Sequence, residues 1–134
     1  MDMSIAFIEK RRIGNDAKAE ALTLIGDVRG RDVIIVDDEV DTGGSIAQAV
    51  RVVKQNGARD VYLVFVHAIL SRDGAERLVS LPIKQIITTD SAPLSADKMK
   101  HLAGHITVLT VAKLLGEVIR REHDGRSVGE MFNE

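Results

Sequence analysis

The feature that most constrains the fold is an unbroken β-branched run, Val33 to Val36, which meets two adjacent carboxylates at Asp37 and Asp38. Consecutive apolar residues without polar alternation are typical of a strand buried on both faces of a parallel sheet. Parallel strands need crossover connections, which are usually helices. The run therefore predicts an α/β fold with the polar end of this strand at the functional edge of the sheet.

Segments with helical and strand periods alternate along the next part of the chain. Helical spacing from Ile46 to Val53 ends at Asn56-Gly57, a C-terminal stop signal. The segments after it are a strand from Val61 to Ala68, a helix from Asp73 to Ser80 and a strand from Ile83 to Thr88. This order of strand, helix, strand, helix and strand requires a parallel sheet.

The last third of the chain begins with a polar, irregular stretch from Thr89 to His105. We expect it to be a loop or short helix of the kind that usually has a function in a compact domain. A fourth strand is predicted from Ile106 to Leu109, and Thr110 is the predicted N-cap of a final helix whose buried stripe runs from Val111 to Ile119. Residues 126–134 are expected to form an extended C-terminal tail.

The front of the chain combines short apolar segments with a basic cluster. Ile5 to Ile8 is a short apolar strand that runs into Glu9-Lys10-Arg11-Arg12, and the polar stretch as far as Lys18 is expected to be mobile. We therefore describe residues 1–18 as a basic flexible-loop region. Ala21 to Val28 is a candidate further strand.

Composition excludes several classes of protein. The chain has 134 residues with 18 basic and 20 acidic side chains, for a net charge of −2. It therefore lacks the excess of positive charge that attracts nucleic acid or anionic lipid. Its apolar runs are far shorter than the ~20 residues that cross a bilayer. The absence of cysteine removes disulfides and thiolate chemistry, and the start lacks a signal-peptide pattern. We expect one cytoplasmic domain spanning residues 1–134, with neither nucleic acid nor membrane as partner.

The candidate chemistry is concentrated at residues 33–45, VIIVDDEVDTGGS. Thr42, Gly43, Gly44 and Ser45 offer backbone N–H groups and two hydroxyls at the start of a helix, where unpaired donors and the helix dipole favour a phosphate. The two glycines let the backbone come close to that ligand.

The carboxylates beside this turn suit a sugar. Asp37 and Asp38 lie in the usual ligand crevice of α/β sheets and can accept hydrogen bonds from vicinal ribose hydroxyls. The pair could also help to hold Mg²⁺ through water. Asp41 would repel a phosphate as a bare charge, so we expect it to orient loop N–H groups or to act as a base.

The competing interpretation is purely structural: the carboxylates end a strand and Thr42 to Ser45 cap a helix. The combination of a hydrophobic strand, two carboxylates and a glycine turn favours a sugar-phosphate site over that interpretation. Two other phosphate loops are excluded, since the chain contains neither Gly-x-x-x-x-Gly-Lys-Ser/Thr nor Gly-x-Gly-x-x-Gly.

Residues 33–45 resemble the ribose-5-phosphate loop of type I phosphoribosyltransferases and of ribose-phosphate diphosphokinases (PRPP synthetases). Other motifs favour the second family. They are Glu9-Lys10-Arg11-Arg12, Gly57-Ala58 to Tyr62, His67, Leu70-Ser71, Thr88-Thr89, Asp97 to His101, and Ile119-Arg120-Arg121 with His123, Gly125, Ser127, Val128 and Phe132. Ala68 and Arg72 depart from the family pattern at the turn after His67.

The resemblance implies a fold, a reaction and site residues. The fold would be a three-layer α/β domain with a parallel sheet, of the type I phosphoribosyltransferase kind and incomplete. The family converts ATP and ribose 5-phosphate to AMP and PRPP with Mg²⁺. By position, Asp41 and Thr42 to Ser45 would hold the 5-phosphate, Asp37 and Asp38 the ribose hydroxyls, and Lys10 and Arg12 the transferring phosphoryl charge.

The resemblance also implies missing parts. The family has two similar domains, and this chain corresponds to the C-terminal part of the second one. The ATP-binding loop belongs to the absent N-terminal half, so this chain alone is expected to be inactive and to bind ribose 5-phosphate or PRPP.

Two alternatives remain open: a non-catalytic regulatory or assembly subunit of PRPP synthetase, and a base phosphoribosyltransferase. A homo-oligomer is also expected, because loss of a neighbouring domain exposes apolar surface.

Overall fold

The computed structural model describes residues 4–12 and 20–132. Residues 1–3 and 13–19, which include much of the expected flexible-loop region, lie outside the described residues, as do the last two residues of the expected tail. The strands are β1 (Phe7–Arg12), β2 (Glu20–Ile25), β3 (Val33–Val40), β4 (Val61–Ala68), β5 (Gln85–Thr89) and β6 (Ile106–Leu109). The helices are α1 (Gly44–Gln55), α2 (Gly74–Val79), α3 (Ala96–His101) and α4 (Ala112–His123), followed by a 3₁₀ turn at Gly129–Phe132.

A four-stranded parallel sheet organises the fold, with the strand order β3-β4-β5-β6. Because each strand pairs with the next one along the chain, right-handed crossovers place α1, α2 and α3 on the same face. The core lies under that face, around the fully buried Leu63, Leu78 and Ile86. The structure therefore confirms the predicted α/β class and the predicted parallel sheet.

Strands β1 and β2 form a separate antiparallel hairpin. Its residues Ala6, Ile8 and Leu24 pack against the core, and β2 contacts α1. The basic cluster that was expected in a flexible loop continues β1, since the backbone of Lys10 pairs with Leu22 and that of Arg12 with Glu20. The side chains of Lys10 and Arg12 lie outside the described part of the structure.

The prediction that Val33 to Val36 is buried on both faces is wrong. β3 is an edge strand, and Ile34 and Val36 are 56% and 74% exposed, whereas Val33 and Ile35 pack against the core. β3 also continues to Val40, because it pairs with β4 as far as Ala68, so Asp37 and Asp38 lie within the strand.

Other boundaries differ for local reasons. β5 begins at Gln85 instead of Ile83, because Pro82 is the centre of a turn in which the Ile83 N–H donates to the Leu81 carbonyl. The helix α4 has Val111 as its N-cap, one residue after the predicted Thr110. The predicted buried stripe of this helix is wrong, since Leu114, Leu115 and Ile119 are 45%, 53% and 70% exposed. The Thr110 hydroxyl still accepts from the Ala112 N–H, at 3.2 Å.

The C-terminal region is held against α4. The Arg121 guanidinium donates to the Ser127 carbonyl at 2.7 Å, and a 3₁₀ turn follows at Gly129–Phe132 in place of the expected extended tail. Arg121 also bonds Glu117 at 2.8 Å. The segment after α4 therefore turns back toward the helix.

Within the described residues, no helix is both long enough and apolar enough to cross a membrane.

The turn after β4 places two non-glycine residues in the left-handed region, Leu70 at φ 47° and Arg72 at φ 54°. This conformation brings Cβ close to the backbone, so glycine adopts it at lower cost. Leu70 is fully buried and its N–H donates to the Val40 carbonyl at 3.0 Å, which ties this turn to the end of β3.

Replacing Leu63 by Ala is expected to lower the free energy of unfolding by about 2–5 kcal/mol, because a fully buried leucine leaves a cavity. Leu115→Ala, at a side chain that is 53% exposed, is the matched control and should change it by less than about 0.5 kcal/mol. Denaturant unfolding of both variants measures the difference. Equal losses would contradict the assignment of the core to the α1–α3 side of the sheet.

Replacing Arg72 by Gly is expected to raise stability by roughly 0.5–1 kcal/mol, because a left-handed backbone costs other residues about 1–2 kcal/mol, partly offset by the entropy of unfolded glycine. Arg51→Gly, within α1, should instead lower stability by about 1 kcal/mol. Thermal and denaturant unfolding of the two variants measures the change in the free energy of unfolding, which should have opposite signs at the two positions. A loss at Arg72 would show that its side chain stabilises the turn more than its backbone strains it.

Candidate functional site

A small open cavity lies where β3 ends and α1 begins. Its volume is about 190 Å³, and it is lined by Asp37, Glu39, Val40, Asp41, Thr42, Gly43, Gly44, Ser45 and Ile46. β3 positions the carboxylate side of this cavity, and the turn into α1 positions the opposite side. The structure therefore brings together most of the site residues predicted from residues 33–45.

The N-terminus of α1 is open to an anion. No side chain caps it, its first turn contains no acidic residue, and its N-cap Gly43 adopts φ 72°. The helix starts with the bond from the Ala47 N–H to the Gly43 carbonyl, at 2.9 Å. The N–H groups before Ala47 cannot pair within the helix, so together with the helix dipole they favour a negative ligand.

The two glycines of the turn have different local requirements. A Cβ on Gly43 would be strained by the positive φ, and it would touch Leu78 Cδ2 at 3.4 Å. A Cβ on Gly44 would make only ordinary contacts, the nearest at 3.7 Å with Arg77 Nη1 and Thr42 Oγ1. The chain's own conformation therefore requires glycine at position 43 and leaves position 44 free of that constraint.

Asp37 is half-buried, and its surroundings disfavour ionisation. Burial raises the pKa of its carboxyl group, and the neighbouring Asp38 carboxylate raises it further, while a hydrogen bond from the Asp38 N–H acts in the opposite direction. That N–H donates to Asp37 Oδ1 at 3.0 Å. A cation or hydroxyl donor at this carboxylate would relieve the cost of its charge.

The remaining carboxylates differ in exposure and position. Asp41 is exposed and lines the cavity. Asp38 is exposed and lies outside the cavity lining, and its Oδ1 accepts from the Glu39 N–H at 2.9 Å. Glu39 lines the cavity and was missed by sequence reasoning. Its i+2 spacing from Asp37 in a strand was the available signal.

Arg77 of α2 is a second residue that the sequence did not identify. Its Nη1 lies 3.7 Å from where a Cβ on Gly44 would be, and its Nη2 bonds Asp73 at 2.8 Å. A cation here adds positive potential to the start of α1. No sequence pattern marks it, since the i,i+4 spacing with Asp73 is that of an ordinary helix pair.

Polar residues at the ends of β4 and β5 continue the same edge of the sheet. His67 pairs in register with Glu39, and its Nδ1 lies 2.9 Å from Ser91 Oγ. The hydroxyls of Thr88, Thr89 and Ser91 all donate to the Val66 carbonyl, at 3.3, 2.9 and 3.1 Å. This network fixes the strand ends beside the cavity.

The described residues contain no group of three or more metal-binding side chains. Mg²⁺ often binds with only one or two carboxylates and keeps several waters. Asp37 and Asp38 supply such a pair, and their mutual repulsion is what a cation would relieve. Only Asp37 of this pair lines the cavity, so Asp38 could reach a cation there only through water.

The arrangement is suited to one kind of ligand. An anion is favoured at the start of α1, and hydrogen-bond acceptors stand at Asp37, on the β3 side of the same cavity. A molecule with a phosphate at one end and hydroxyls at the other satisfies both.

Comparison with known proteins gives consistent similarities. The chain is 44% identical over 128 residues to "Ribose-phosphate pyrophosphokinase 1, chloroplastic" of Oryza sativa subsp. japonica. This alignment covers 96% of this chain and 31% of the relative. Over 132 residues it is 40% identical to the ribose-phosphate pyrophosphokinase of Vibrio cholerae, covering 98% of this chain and 41% of the relative. The chain thus spans about a third to two fifths of these relatives.

A solved structure agrees with the sequence comparisons. The phosphoribosylpyrophosphate synthetase of Mycobacterium smegmatis superposes with a TM-score of 0.78 at 35% identity, over 90% of this chain and 37% of that one. The family model of the "Phosphoribosyl synthetase-associated domain" matches residues 8–133. Because that model matches nearly the whole chain, the chain belongs to the family of the phosphoribosyl synthetase-associated domain.

Proposed function

We propose that this chain binds ribose 5-phosphate or PRPP in the cavity between β3 and α1. The observation that carries the proposal is the juxtaposition of Asp37 with the uncapped N-terminus of α1 in one cavity. The 5-phosphate would accept hydrogen bonds from the N–H groups and hydroxyls of Thr42 to Ser45, and Asp37 would accept from the ribose hydroxyls. Asp38, at the rim, would contribute through water.

Asp41 fits a positioning role at this site better than direct contact with the phosphate. It is exposed and lines the cavity, so its charge can remain solvated while it holds the loop. Arg77 offsets part of that negative charge from the α2 side. Because Arg77 offsets the charge of Asp41, the N-terminus of α1 remains the element that binds the anion.

We also propose a role for this chain within a longer enzyme of the family. We place this chain as the C-terminal part of the second phosphoribosyltransferase-type domain of a ribose-phosphate diphosphokinase, which forms AMP and PRPP from ATP and ribose 5-phosphate. The order of the motifs along the chain supports this placement. Lys10 and Arg12 would stabilise charge on the transferring diphosphoryl group, as a point charge and a bidentate donor respectively.

Mg²⁺ is the proposed cofactor, held through water by Asp37 and Asp38. When bound, it would neutralise phosphate charge during diphosphoryl transfer. ATP would become a substrate only where the N-terminal half of such an enzyme is also present.

A second candidate function is an assembly or regulatory subunit of PRPP synthetase. The observation that favours it is the apolar edge strand β3, where Ile34 and Val36 are 56% and 74% exposed, since exposed apolar surface marks interaction sites. This alternative predicts a folded chain without sugar-phosphate affinity.

Ribose 5-phosphate with Mg²⁺, at 100 times its dissociation constant, is expected to add about 2.7 kcal/mol to stability, or several degrees in melting temperature. Thermal shift measures this, with ribose and with inorganic phosphate as ligand controls. A shift with phosphate alone would indicate an anion site without sugar recognition. No shift from a folded chain would favour the assembly subunit.

Asp37→Asn should weaken ribose 5-phosphate at least about tenfold, since a hydrogen bond to a charged group contributes roughly 1.5–3 kcal/mol. The fold should not lose stability at neutral pH, because the raised pKa of Asp37 means that its ionised form opposes folding above that pKa. Asp97→Asn, on the exposed helix α3, is the matched control and should leave affinity unchanged. Calorimetric titration with ribose 5-phosphate measures both affinities. Equal affinities for the two variants would show that Asp37 does not bind the ligand.

The isolated chain is expected to form no AMP from ATP and ribose 5-phosphate. The sugar-phosphate site belongs to it, whereas the nucleotide site is assigned to the N-terminal half of the longer enzyme. A coupled assay for AMP, with a full-length ribose-phosphate pyrophosphokinase as positive control, tests this. Turnover by the purified 134-residue chain would contradict the division of the two sites.

A further inference from the structure

The cavity between β3 and α1 is lined by acidic residues. Asp37, Glu39 and Asp41 line it, and none of the described residues in its lining is basic. A phosphate monoester adds a charge of about −1.5 to −2 at neutral pH, whereas a helix N-terminus supplies only about half a positive charge. A cation beside the cavity would therefore strengthen the binding of a sugar phosphate.

Helix α2 packs directly against the turn that leads into α1. Its first residue, Gly74, approaches so closely that a Cβ there would lie 2.9 Å from the Asp41 carbonyl oxygen. Near its other end, the Cδ2 atom of the fully buried Leu78 lies 3.4 Å from the position of a Cβ on Gly43. These two contacts fix α2 beside the turn, and Arg77 lies between them along the helix.

The Arg77 side chain lies along the two glycines of this turn. Its Cδ is 3.8 Å from the position of a Cβ on Gly43, and its Nη1 is 3.7 Å from the position of a Cβ on Gly44. Because glycine has no side chain, position 44 does not screen the guanidinium from the start of α1. The fold thus brings a cation to the end of the cavity where the phosphate is proposed to bind.

A carboxylate already engages this guanidinium. Asp73, the N-cap of α2, accepts a hydrogen bond from Arg77 Nη2 at 2.8 Å. That hydrogen bond holds the pKa of the Asp73 carboxyl below its ordinary value, so both partners are charged at neutral pH. The two side chains are 37% and 62% exposed, and exposed ion pairs contribute little to stability. Exchange of Asp73 for another anion is therefore inexpensive.

The guanidinium is suited to such an exchange. Arginine presents donors on both terminal nitrogens in a planar fork that matches phosphate oxygens. Asp73 accepts from Nη2, whereas Nη1 is the nitrogen next to Gly44. Rotation of this long side chain toward α1 would replace one charge-assisted hydrogen bond by a bidentate pair with a phosphate.

We propose that Arg77 is a phosphate-binding residue of the candidate site, and that Asp73 competes with the ligand for its guanidinium and so lowers the affinity. When the ligand binds, Arg77 leaves Asp73 and donates to the 5-phosphate from the α2 side. The N–H groups at the start of α1 donate to the same phosphate. The inference rests on the proposed sugar-phosphate site and adds a binding residue and an internal competitor outside residues 33–45.

Single variants of the two residues should shift affinity in opposite directions. Arg77→Gln should weaken ribose 5-phosphate at least about tenfold, the size expected for a lost charge-assisted hydrogen bond. Asp73→Asn should tighten it about two- to fivefold, the range that an exposed ion pair contributes. Calorimetric titration of the 134-residue chain measures both, with inorganic phosphate as a second ligand that should shift in the same directions.

The double variant distinguishes competition from a general effect of charge. If Asp73 acts only through Arg77, the chain with both substitutions should bind as weakly as Arg77→Gln alone. If Asp73 simply repels the phosphate, its removal would tighten binding in both backgrounds, and the competition would be refuted. Asp73→Asn keeps the backbone bond from the Arg77 N–H to the carbonyl of residue 73, so it remains informative even where Arg77→Gln disturbs the fold.

The ion pair between Arg59 and Asp32 is the matched control. Its two hydrogen bonds are 2.6 and 2.7 Å long, and its side chains are 65% and 43% exposed. Asp32 precedes β3 and Arg59 precedes β4, so the pair lies at the opposite end of the sheet from the cavity. Arg59→Gln and Asp32→Asn should leave both affinities unchanged, and circular dichroism checks that all variants fold.

The possible outcomes separate this inference from the proposed function. Equal affinities of the original chain, Arg77→Gln and Asp73→Asn for ribose 5-phosphate would overturn the role of the ion pair and leave the sugar-phosphate site standing. Both shifts with inorganic phosphate, without any preference for ribose 5-phosphate, would support the role of Arg77 and refute the sugar site. A chain that binds neither ligand would refute both.

Discussion

The parallel pairing of β3 with β4 is the interaction on which the rest of the structure depends. β4 is anchored by the fully buried Val61 and Leu63, and it aligns β3 from Val33 to Val40. That alignment places Asp37 on one side of the cavity and delivers the chain into the turn that starts α1. The fold and the candidate site therefore depend on the same ladder of backbone hydrogen bonds between β3 and β4.

The sequence predicted the elements that local patterns encode. The apolar runs, the helical spacing after Ser45 and the glycine turn all lie within short segments, so their periods are readable without a fold. The exposure of Ile34 and Val36 could not be predicted in this way, because an edge strand and a central strand carry the same aliphatic run. Strand order is decided by pairing between distant segments, and the chain contains no strand that takes the other side of β3 within its described residues.

In the candidate site, too, some residues can be predicted from the local sequence and others are brought in only by packing of distant segments. Asp37 and Thr42 to Ser45 lie within one short segment, so the sequence alone could predict that they line a common cavity. Arg77 reaches the site only because α2 packs beside α1, and that contact depends on the crossover between β4 and β5. Glu39 joined the cavity because β3 extends beyond the two aspartates, which the local pattern had placed at its end.

The hydroxyls that converge on the Val66 carbonyl have a consequence for motion. The hydroxyls of Thr88, Thr89 and Ser91, on β5 and its loop, all lie within donating distance of this one oxygen on β4. Thr89 has a single hydroxyl proton, which can instead be donated to Ser91 Oγ at 2.8 Å. A carbonyl oxygen has two lone pairs, so three donors compete for it and exchange of partners costs little while separation of the strands costs all of them. Separation of the β4 and β5 ends is therefore resisted, whichever of the three hydroxyls the carbonyl accepts from.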